Sequence, residues 1–120
     1  MEGTADVYSP KVVRSTMGSI FRQNIIYCNF NEREEFVKFL KENGYTLFST
    51  VLEKSDYIEN IKFDKKNVFI FGNEANGVCE FFKEVSDRNI KIRMSNKTDS
   101  LNVSVAAGIV MYKHYIENYK

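Results

Sequence analysis

The sequence predicts an α/β fold built around a parallel sheet, and two observations carry this prediction. Short runs of β-branched and aromatic residues at 67–71 and 89–93 are bounded by glycine or polar residues, as buried strands are. Segments with the apolar spacing of helices alternate with these runs, an order typical of parallel sheets flanked by helices. Loops after neighbouring parallel strands meet at one sheet edge, where ligands bind. We therefore expect a binding crevice formed by the loop 72–77 and the polar segment that ends at Asn102.

Length and composition predict a single domain without a membrane-spanning segment. The chain has 120 residues, of which 43% are hydrophobic and 28% are charged, the usual balance of a globular protein in water. No apolar run approaches the roughly 18 residues that cross a bilayer, and no signal-peptide pattern opens the chain. The expected compartment is the cytoplasm, with no membrane partner.

The cysteines, the histidine and the acidic residues do not predict a metal site. Cys28 and Cys79 lack metal-ligand spacing, and we interpret them as reduced structural thiols. His114 is the single histidine and lies far from both loops in sequence. No cluster of carboxylates matches a divalent-cation site.

Charge is balanced overall, with 17 basic and 16 acidic residues. Composition alone therefore does not indicate a nucleic-acid-binding protein. Basic residues do gather near the expected crevice, where they form either a local basic face or an ordinary solvated surface. These residues are Arg88, Lys91, Arg93 and Lys97.

Local signals place the elements of the first half. Ser9 and Pro10 predict a helix start, and the helix should run to about Phe21 with Gly18 in its middle. Residues 25–28 are a short strand or an extended segment. A weak capping box at Asn31 and Glu34 begins a helix that ends at Gly44. The residues expected to face the core are Val13, Met17, Ile20, Phe21, Phe36, Phe39 and Leu40.

The second half should contain most of the sheet. Strands are predicted at 45–51, 67–71 and 89–93, with a loop and one helical turn over 53–66 and a helix over 78–85. A final amphipathic helix starts near Leu101, with Asp99 or Ser100 as its N-cap. Its expected apolar stripe is Leu101, Val105, Ile109, Tyr112 and Ile116.

The loop 72–77 matches neither of the common phosphate-binding patterns. Val78 and Cys79 stand where a P-loop has lysine and serine or threonine, and the second glycine of a dinucleotide fingerprint is missing. From spacing alone the loop is either a ligand-binding loop or a plain strand-to-helix turn. Glu74 is then either a site residue or a charge at the start of the next helix.

Three segments taken together resemble the SpoU/TrmH-type RNA methyltransferases. Residues 5–21 resemble the segment that follows the first motif of the family. Residues 69–77, FIFGNEANG, resemble the second motif, and residues 92–107 resemble the third. The resemblance covers nearly the whole chain, with the motifs in the family's order.

The resemblance implies a fold and a cofactor. The fold is a SPOUT-type domain over 1–120, a parallel sheet flanked by helices with a C-terminal trefoil knot, lacking an N-terminal βαβ unit. The cofactor is S-adenosylmethionine, bent within the loops of the knot. By motif, Gly72, Ile92 and Leu101 are its expected contacts, with Met94 and the strand end at Thr50 and Val51 as weaker candidates.

The resemblance also implies the reaction and the partners. The reaction is methyl transfer to a ribose 2′-hydroxyl of rRNA or tRNA by a homodimer that pairs through the last helix. Ser100 and Asn102 are expected to shape the active site, and Glu74 to support the second-motif loop or the substrate site. Arg14 is expected to bind a substrate phosphate or to brace a loop.

The chain departs from the family pattern in two places. No Asn-x-Gly…Arg first motif occurs in it, and Arg93 stands where the family usually has proline. We interpret the chain as the C-terminal part of a catalytic domain that binds the cofactor but transfers methyl groups feebly. The alternatives are a non-catalytic RNA-binding or dimerisation module and an unrelated small α/β ligand-binding domain.

Overall fold

The computed structural model describes residue 1, residues 4–95 and residues 100–119. The chain divides into two compact units, Met1–Phe36 and Val37–Lys120, which are taken in turn. Within the described ranges, no helix has both the length and the apolar character needed to cross a membrane. In chain order the helices and strands are α1 (Pro10–Ser15), α2 (Arg33–Glu42), β1 (Thr46–Thr50), β2 (Asp56–Tyr57), β3 (Asn67–Ile70), α3 (Glu80–Val85), β4 (Arg88–Lys91) and α4 (Val103–Asn118), with 3-10 turns at Ser19–Arg22, Phe30–Glu32 and Ile58–Asn60.

Helix α1 starts where the sequence predicts but is shorter than expected. The Ser9 side chain caps it by accepting a hydrogen bond from the Val12 N–H at 3.4 Å, so the predicted start is confirmed. The helix ends at Ser15 because Met17 and Gly18 adopt left-handed backbone conformations, with φ angles of 50° and 82°. The prediction that Gly18 lies in the middle of a helix is therefore wrong.

The early end of α1 also changes which apolar side chains are buried. Ile20 is buried as predicted, and Val13 is half-buried. Met17 and Phe21 are 92% and 83% exposed, so the prediction that they face the core is wrong. The 3-10 turn that follows Gly18 no longer keeps them in register with α1. Residues 25–28 form no strand.

The helix predicted before Gly44 forms as α2, with a different start. The capping box uses Asn29 and Glu32, two residues earlier than the predicted pair. Gly44 has a φ angle of 79°, which confirms the predicted helix end. Leu40 is buried as expected and Phe36 is half-buried. Phe39 is 57% exposed, so its predicted core position is wrong.

Four described strands of the second unit form one sheet in the order β2-β4-β1-β3. Each neighbouring pair is parallel, which confirms the predicted parallel α/β sheet. Strands β1 and β3 lie within one residue of the predicted segments at both ends, whereas β4 begins one residue and ends two residues earlier than predicted. Strand β2 is missing from the prediction because Asp56 and Tyr57 lie in a charged stretch without alternation. The helical turn expected in that stretch is Ile58–Asn60.

The link between β1 and β2 crosses β4. Thr50 at the end of β1 and Asp56 at the start of β2 are both register partners of Ile90, one on each side of it. Residues 51–55 therefore pass from one side of β4 to the other. The Val51 N–H donates to the Ile90 carbonyl at 2.9 Å, which holds this link against the strand that it crosses.

One sheet face, the segment after β2 and helix α4 share a hydrophobic core. Phe63 packs edge-on against Phe48 of β1 and Phe69 of β3, with ring-centre distances of 5.1 and 5.0 Å. The segment after β2 therefore contributes core residues that its charged sequence conceals. The buried members of the core are Phe48, Ile58, Ile61, Phe63, Ile90 and Val110.

Helix α4 forms as predicted, but it faces the core with different residues. Val110 is fully buried, whereas Val105 and Tyr112 of the predicted stripe are 50% and 67% exposed. The predicted stripe is therefore wrong as the core face, because apolar residues occur on both sides of this helix and their spacing alone favours neither. Its N-cap is Asn102, whose side chain accepts from the Ser104 N–H at 2.9 Å. Ser100 is not the cap, and Asp99 lies outside the described residues.

Polar side chains attach the last turns of α4 to the segment after β2. Lys113 donates to the Ile61 carbonyl at 2.7 Å, and the Phe63 N–H donates to the Glu117 carboxylate at 2.9 Å. Lys113 also pairs with Glu117. Burial raises the pKa of the Glu117 carboxyl, but the hydrogen bonds from Lys113 and from Phe63 outweigh it and lower the pKa.

His114 belongs to the same attachment. Its Nε2 lies 3.0 Å from the Asp64 carbonyl oxygen, and its ring packs edge-on against Phe69 with a centre distance of 5.8 Å. The histidine therefore has a packing role.

Candidate functional site

A cavity of about 570 Å³ lies at the carboxyl ends of β1, β3 and β4 in the second unit. This is the sheet edge at which a ligand crevice is expected in a parallel α/β fold, so the predicted crevice between the two loops is confirmed. Residues 50–52, 71–74, 90–92 and 100–103 line it, together with Ile58, Gly77, Met94, Ala106 and Val110.

The first wall is the loop after β3, which its own backbone closes. Asn73 and Gly77 pair in an antiparallel bridge, with the Gly77 N–H donating to the Asn73 carbonyl at 2.9 Å. The Asn76 N–H donates to the Asn73 side chain at 2.7 Å. Gly77 has a φ angle of 65°, which glycine adopts without strain.

Gly72 is required by this loop itself. A Cβ atom at this position would lie 1.9 Å from the Gly77 carbonyl carbon and 2.1 Å from the Val78 nitrogen. These are backbone atoms and cannot move away as a flexible side chain can. The close approach that glycine permits here is therefore between two parts of the loop.

The second wall is the link from β1 to β2. The Thr50 hydroxyl donates to the Ile70 carbonyl at 3.1 Å, which ties the end of β1 to the end of β3. Leu52 lines the cavity and is 56% exposed, so it presents apolar surface at the opening.

The third wall is the end of β4 and the residues that follow it. Ile90 is fully buried beneath the cavity, while Ile92 and Met94 line it half-buried. Lys91 lines it as well. The next basic residue, Arg93, forms an ion pair with Glu59 at 2.5 Å. The hydrogen bond from Arg93 lowers the pKa of the Glu59 carboxyl.

The fourth wall is the segment that enters α4. Leu101 is half-buried, and Asn102 bridges two walls while it caps the helix. The Asn102 side-chain nitrogen lies 3.4 Å from a carboxylate oxygen of Glu74, to which it donates. The two loops expected to form the crevice are therefore joined by one hydrogen bond across it.

The arrangement suits a ligand that has both an apolar and a polar part. Side chains of isoleucine, leucine, valine and methionine cover the inner walls, while Asn73, Glu74, Ser100 and Asn102 lie at the exposed side. Among the described lining residues there is neither histidine nor cysteine. In the ranges that the structure describes, no three acidic, histidine or cysteine side chains come together as metal ligands do.

The structure brings nearly all of the predicted site residues together. The cavity is lined by all the predicted cofactor and active-site positions, which are Thr50, Gly72, Glu74, Ile92, Met94, Ser100, Leu101 and Asn102. Arg14, the predicted substrate-binding residue, belongs to the unit Met1–Phe36. Glu74 does not cap the following helix, whose N-cap position is Cys79. Lys97 of the predicted basic cluster lies outside the described residues.

Sequence reasoning missed Leu52 of the β1–β2 link and the cavity-lining residues of α4. Val51 was named with Thr50 at the end of a predicted strand and lines the cavity. Leu52 is the next residue at the same sheet edge, so this position was the signal that could have found it. Ala106 and Val110 also line the cavity, but no signal pointed to them, because they do not belong to the apolar stripe that was predicted to face the core.

Comparison with known proteins identifies the family of this chain. The model of the SpoU rRNA Methylase family matches residues 1–112. The chain belongs to the SpoU family. The resemblance of the three motif segments is thereby confirmed at the level of the family.

Curated relatives of the chain include one enzyme that acts on rRNA and one that acts on tRNA. The 23S rRNA (guanosine(2553)-2′-O)-methyltransferase RlmP of Bacillus subtilis is 32% identical over 111 residues, which are 92% of this chain and 44% of RlmP. The tRNA (guanosine(18)-2′-O)-methyltransferase of Thermus thermophilus is 38% identical over 80 residues, 66% of this chain and 41% of that enzyme. The chain thus spans less than half the length of these relatives.

Solved SpoU structures share the fold. The SpoU methyltransferase AviRb of Streptomyces viridochromogenes, crystallised with the cofactor AdoMet, superposes with a TM-score of 0.79 at 29% identity. The match covers 92% of this chain and 43% of AviRb.

Proposed function

We propose that this chain is part of an S-adenosylmethionine-dependent RNA methyltransferase that modifies a ribose 2′-hydroxyl of rRNA or tRNA. The observation that carries the proposal is that the second-motif loop and the third-motif segment line the same cavity. Membership of the SpoU family and the AdoMet complex of AviRb support it. The family match over residues 1–112 supports one methyltransferase domain that includes both units. An enzyme acting on rRNA or tRNA would work in the cytoplasm, without a metal.

The cavity fits the proposed cofactor in size and in chemistry. Its volume of about 570 Å³ lies in the range of pockets for ligands of this size. Ile92, Leu101 and Met94 supply apolar surface for an adenine ring, and the ends of the loops supply backbone hydrogen-bonding groups. When bound, the cofactor supplies an electrophilic methyl group, and it leaves as S-adenosylhomocysteine after transfer.

The polar residues at the opening are proposed to orient the ribose and the cofactor. Asn102 is held by the α4 cap and by Glu74, so its position is set before a ligand arrives. Ser100 lies beside it, exposed to a substrate. Arg14 is proposed to bind a phosphate of the RNA.

We propose that the 120 residues bind the cofactor but transfer methyl groups slowly. The ribose hydroxyl must lose a proton as it attacks, and a positioned base contributes roughly a hundred- to ten-thousand-fold in rate. The first-motif arginine of the family, expected to activate the hydroxyl, is not among these residues.

Pairing through α4 and a knotted backbone complete the proposal. Helix α4 carries exposed Met111, Tyr112 and Tyr115, and Tyr119 directly after it is exposed as well. Tyrosine and methionine are enriched at protein interfaces. The crossing of β4 by residues 51–55 supports a trefoil knot, because a knot requires a later strand to pass a loop formed earlier in the chain.

Isothermal titration calorimetry with S-adenosylhomocysteine tests the site. Leu101→Ala and Met94→Ala should each weaken binding several-fold because they remove apolar surface from the cavity wall. Phe39→Ala is the control, since it removes an exposed side chain that is not among the cavity-lining residues, and it should leave the affinity unchanged. Equal affinities in all four proteins would place the cofactor elsewhere. Gly72→Val is less suitable, because it would disturb the loop as well as the ligand.

A radiolabel transfer assay on ribosomal and transfer RNA tests the activity. The chain should be compared with a version extended upstream by a first-motif segment from a SpoU relative. Rapid transfer by both would contradict the proposed division between binding and chemistry. Binding without transfer in both would favour a non-catalytic RNA-binding or dimerisation module.

A further inference from the structure

An arginine lies in the middle of the third wall of the cavity without lining the cavity. Arg93 stands between Ile92 and Met94, which do line it. The Arg93 Nε donates to a Glu59 carboxylate oxygen at 2.5 Å. Its guanidinium carbon lies 3.9 Å from the centre of the Tyr57 ring, within the range of a cation–π contact.

The partners of Arg93 flank another cavity residue. Tyr57 and Glu59 lie on either side of Ile58, which lines the cavity and is 7% exposed. The ion pair therefore connects the two neighbours of Ile58 to the segment Ile92–Met94. Lys91 adds to this connection, because its ammonium lies 4.7 Å from the centre of the Tyr57 ring. Tyr57, Glu59 and Arg93 are called the rim clamp below.

The charge of Arg93 is already balanced within the rim clamp. The hydrogen bond that Arg93 donates to Glu59 raises the pKa of Arg93 and lowers the pKa of Glu59. Both groups thus remain charged at neutral pH. An arginine held against a carboxylate and an aromatic ring loses both contacts if it turns toward a phosphate, so these contacts favour an internal role over RNA binding.

We propose that Arg93 is a positioning residue, which acts through the rim clamp to hold Ile92 and Met94 in place for the cofactor. This inference rests on the proposed cofactor site. A wall that is held before the ligand arrives loses less conformational freedom on binding, and the affinity rises accordingly. The rim clamp supplies this restraint at the point where the chain leaves the sheet.

A double-mutant cycle tests the rim clamp with S-adenosylhomocysteine as the titrant. Arg93→Gln and Glu59→Gln should each weaken binding about threefold to tenfold, the size expected for an exposed ion pair with a cation–π contact. The double variant should be no weaker than the single variants, because either change already opens the rim clamp. Arg93→Lys keeps the charge without the planar guanidinium and should recover only part of the affinity.

Lys83→Gln is the matched control. It removes a surface ion pair of 3.3 Å with Glu80 on α3, and neither residue lines the cavity. Its affinity should equal that of the unmodified chain. Thermal unfolding of each variant shows whether the protein in the calorimeter is folded.

Two patterns of affinity would overturn the inference while leaving the proposed function in place. Weaker binding by Arg93→Gln alone, with Glu59→Gln unchanged, would mean that the arginine contacts the cofactor directly. Unchanged affinity in both, with only a lower melting temperature, would mean that the pair merely stabilises the fold.

Hydrogen exchange separates the rim clamp from the proposed function. If the unmodified chain does not bind the titrant, the proposed function fails. Amide exchange of the ligand-free variants then still tests whether the rim clamp restrains the segment after β4. Faster amide exchange in a peptide covering 88–94 in both glutamine variants, but not in Lys83→Gln, would support it. Equal exchange in all four proteins would overturn it.

Discussion

Two walls of the same cavity are held in place by different means. The loop after β3 is closed by backbone, through the Asn73–Gly77 bridge and the tight packing of Gly72. The segment after β4 is held by side chains, through the contacts of Arg93 with Glu59 and Tyr57. Backbone closure is insensitive to salt and pH but does not tolerate an added methyl group. Side-chain closure tolerates changes of size but depends on charge.

The largest effect should come from Gly72→Ala, which attacks the backbone-closed wall. The new Cβ would lie 1.9 Å from a backbone atom of Gly77, so the loop must open. We expect a loss of about 3 kcal/mol or more in the free energy of unfolding, the upper range for overpacked sites. Urea denaturation followed by circular dichroism measures it.

Gly108→Ala provides the control for that experiment. Gly108 lies in α4, and a Cβ there meets no atom within 4 Å. Alanine should stabilise the helix by about 1 kcal/mol. A similar small effect at Gly72 would contradict the backbone-closed loop.

An intermediate effect is expected at the bridge between the walls. Asn102→Ala removes the cap of α4 and the hydrogen bond to Glu74, and loss of a cap typically costs about 1 kcal/mol of stability. Asn102→Ser keeps a capping oxygen but no longer reaches Glu74 as a donor. Stability should therefore fall only for alanine, while cofactor affinity should fall for both. Equal cofactor affinity of Asn102→Ser and the unmodified chain would mean that the hydrogen bond between Asn102 and Glu74 does not contribute to cofactor binding.

The smallest effect should be a pH dependence of stability that comes from the Arg93–Glu59 ion pair beside the segment after β4. The hydrogen bond from Arg93 lowers the pKa of Glu59 below its ordinary value of 4.5. The stabilisation by this carboxylate is therefore complete above pH 4.5 and is lost as the pH falls through the lowered pKa. The difference in stability between the unmodified chain and Glu59→Gln should shrink below that pH. A difference that is constant from pH 7 to pH 3 would contradict the ion pair. Both side chains are largely exposed, so the change should be small.

The sequence predicted the part of the site that follows regular strands. Strands such as 67–71 can be recognised from their β-branched and aromatic composition. The loops after parallel strands meet at one sheet edge, so Gly72 and Ile92 could be predicted to line the same cavity. The motifs added Leu101 and Asn102, which line the same cavity although they do not directly follow a predicted strand. The side-chain roles within the motifs stay predictions.

The failures arose where the chain turns or where both helix faces are apolar. Met17 and Gly18 end α1 through backbone conformation, which apolar spacing does not report. Phe63 is 1% exposed although it stands among charged residues, since burial there depends on contacts with distant strands. In α4, Val110 rather than Ile109 is buried. Lys113 and Glu117 hold the helix in this orientation through hydrogen bonds to the segment after β2, and local apolar spacing does not predict such contacts.

The position of β4 between β1 and β2 has a consequence for biosynthesis. On the ribosome, β1 to β3 emerge before the strand that completes the sheet, and the helix that carries Val110 emerges after that strand. The pairing of β1 with β4 joins residues about 40 positions apart, a separation that slows folding. The nascent chain thus exposes its apolar sheet face and has no closed ligand site until α4 has emerged. We expect the cofactor to bind only after α4 has emerged, and a chaperone that shields apolar segments to raise the yield of folded protein more than added cofactor does.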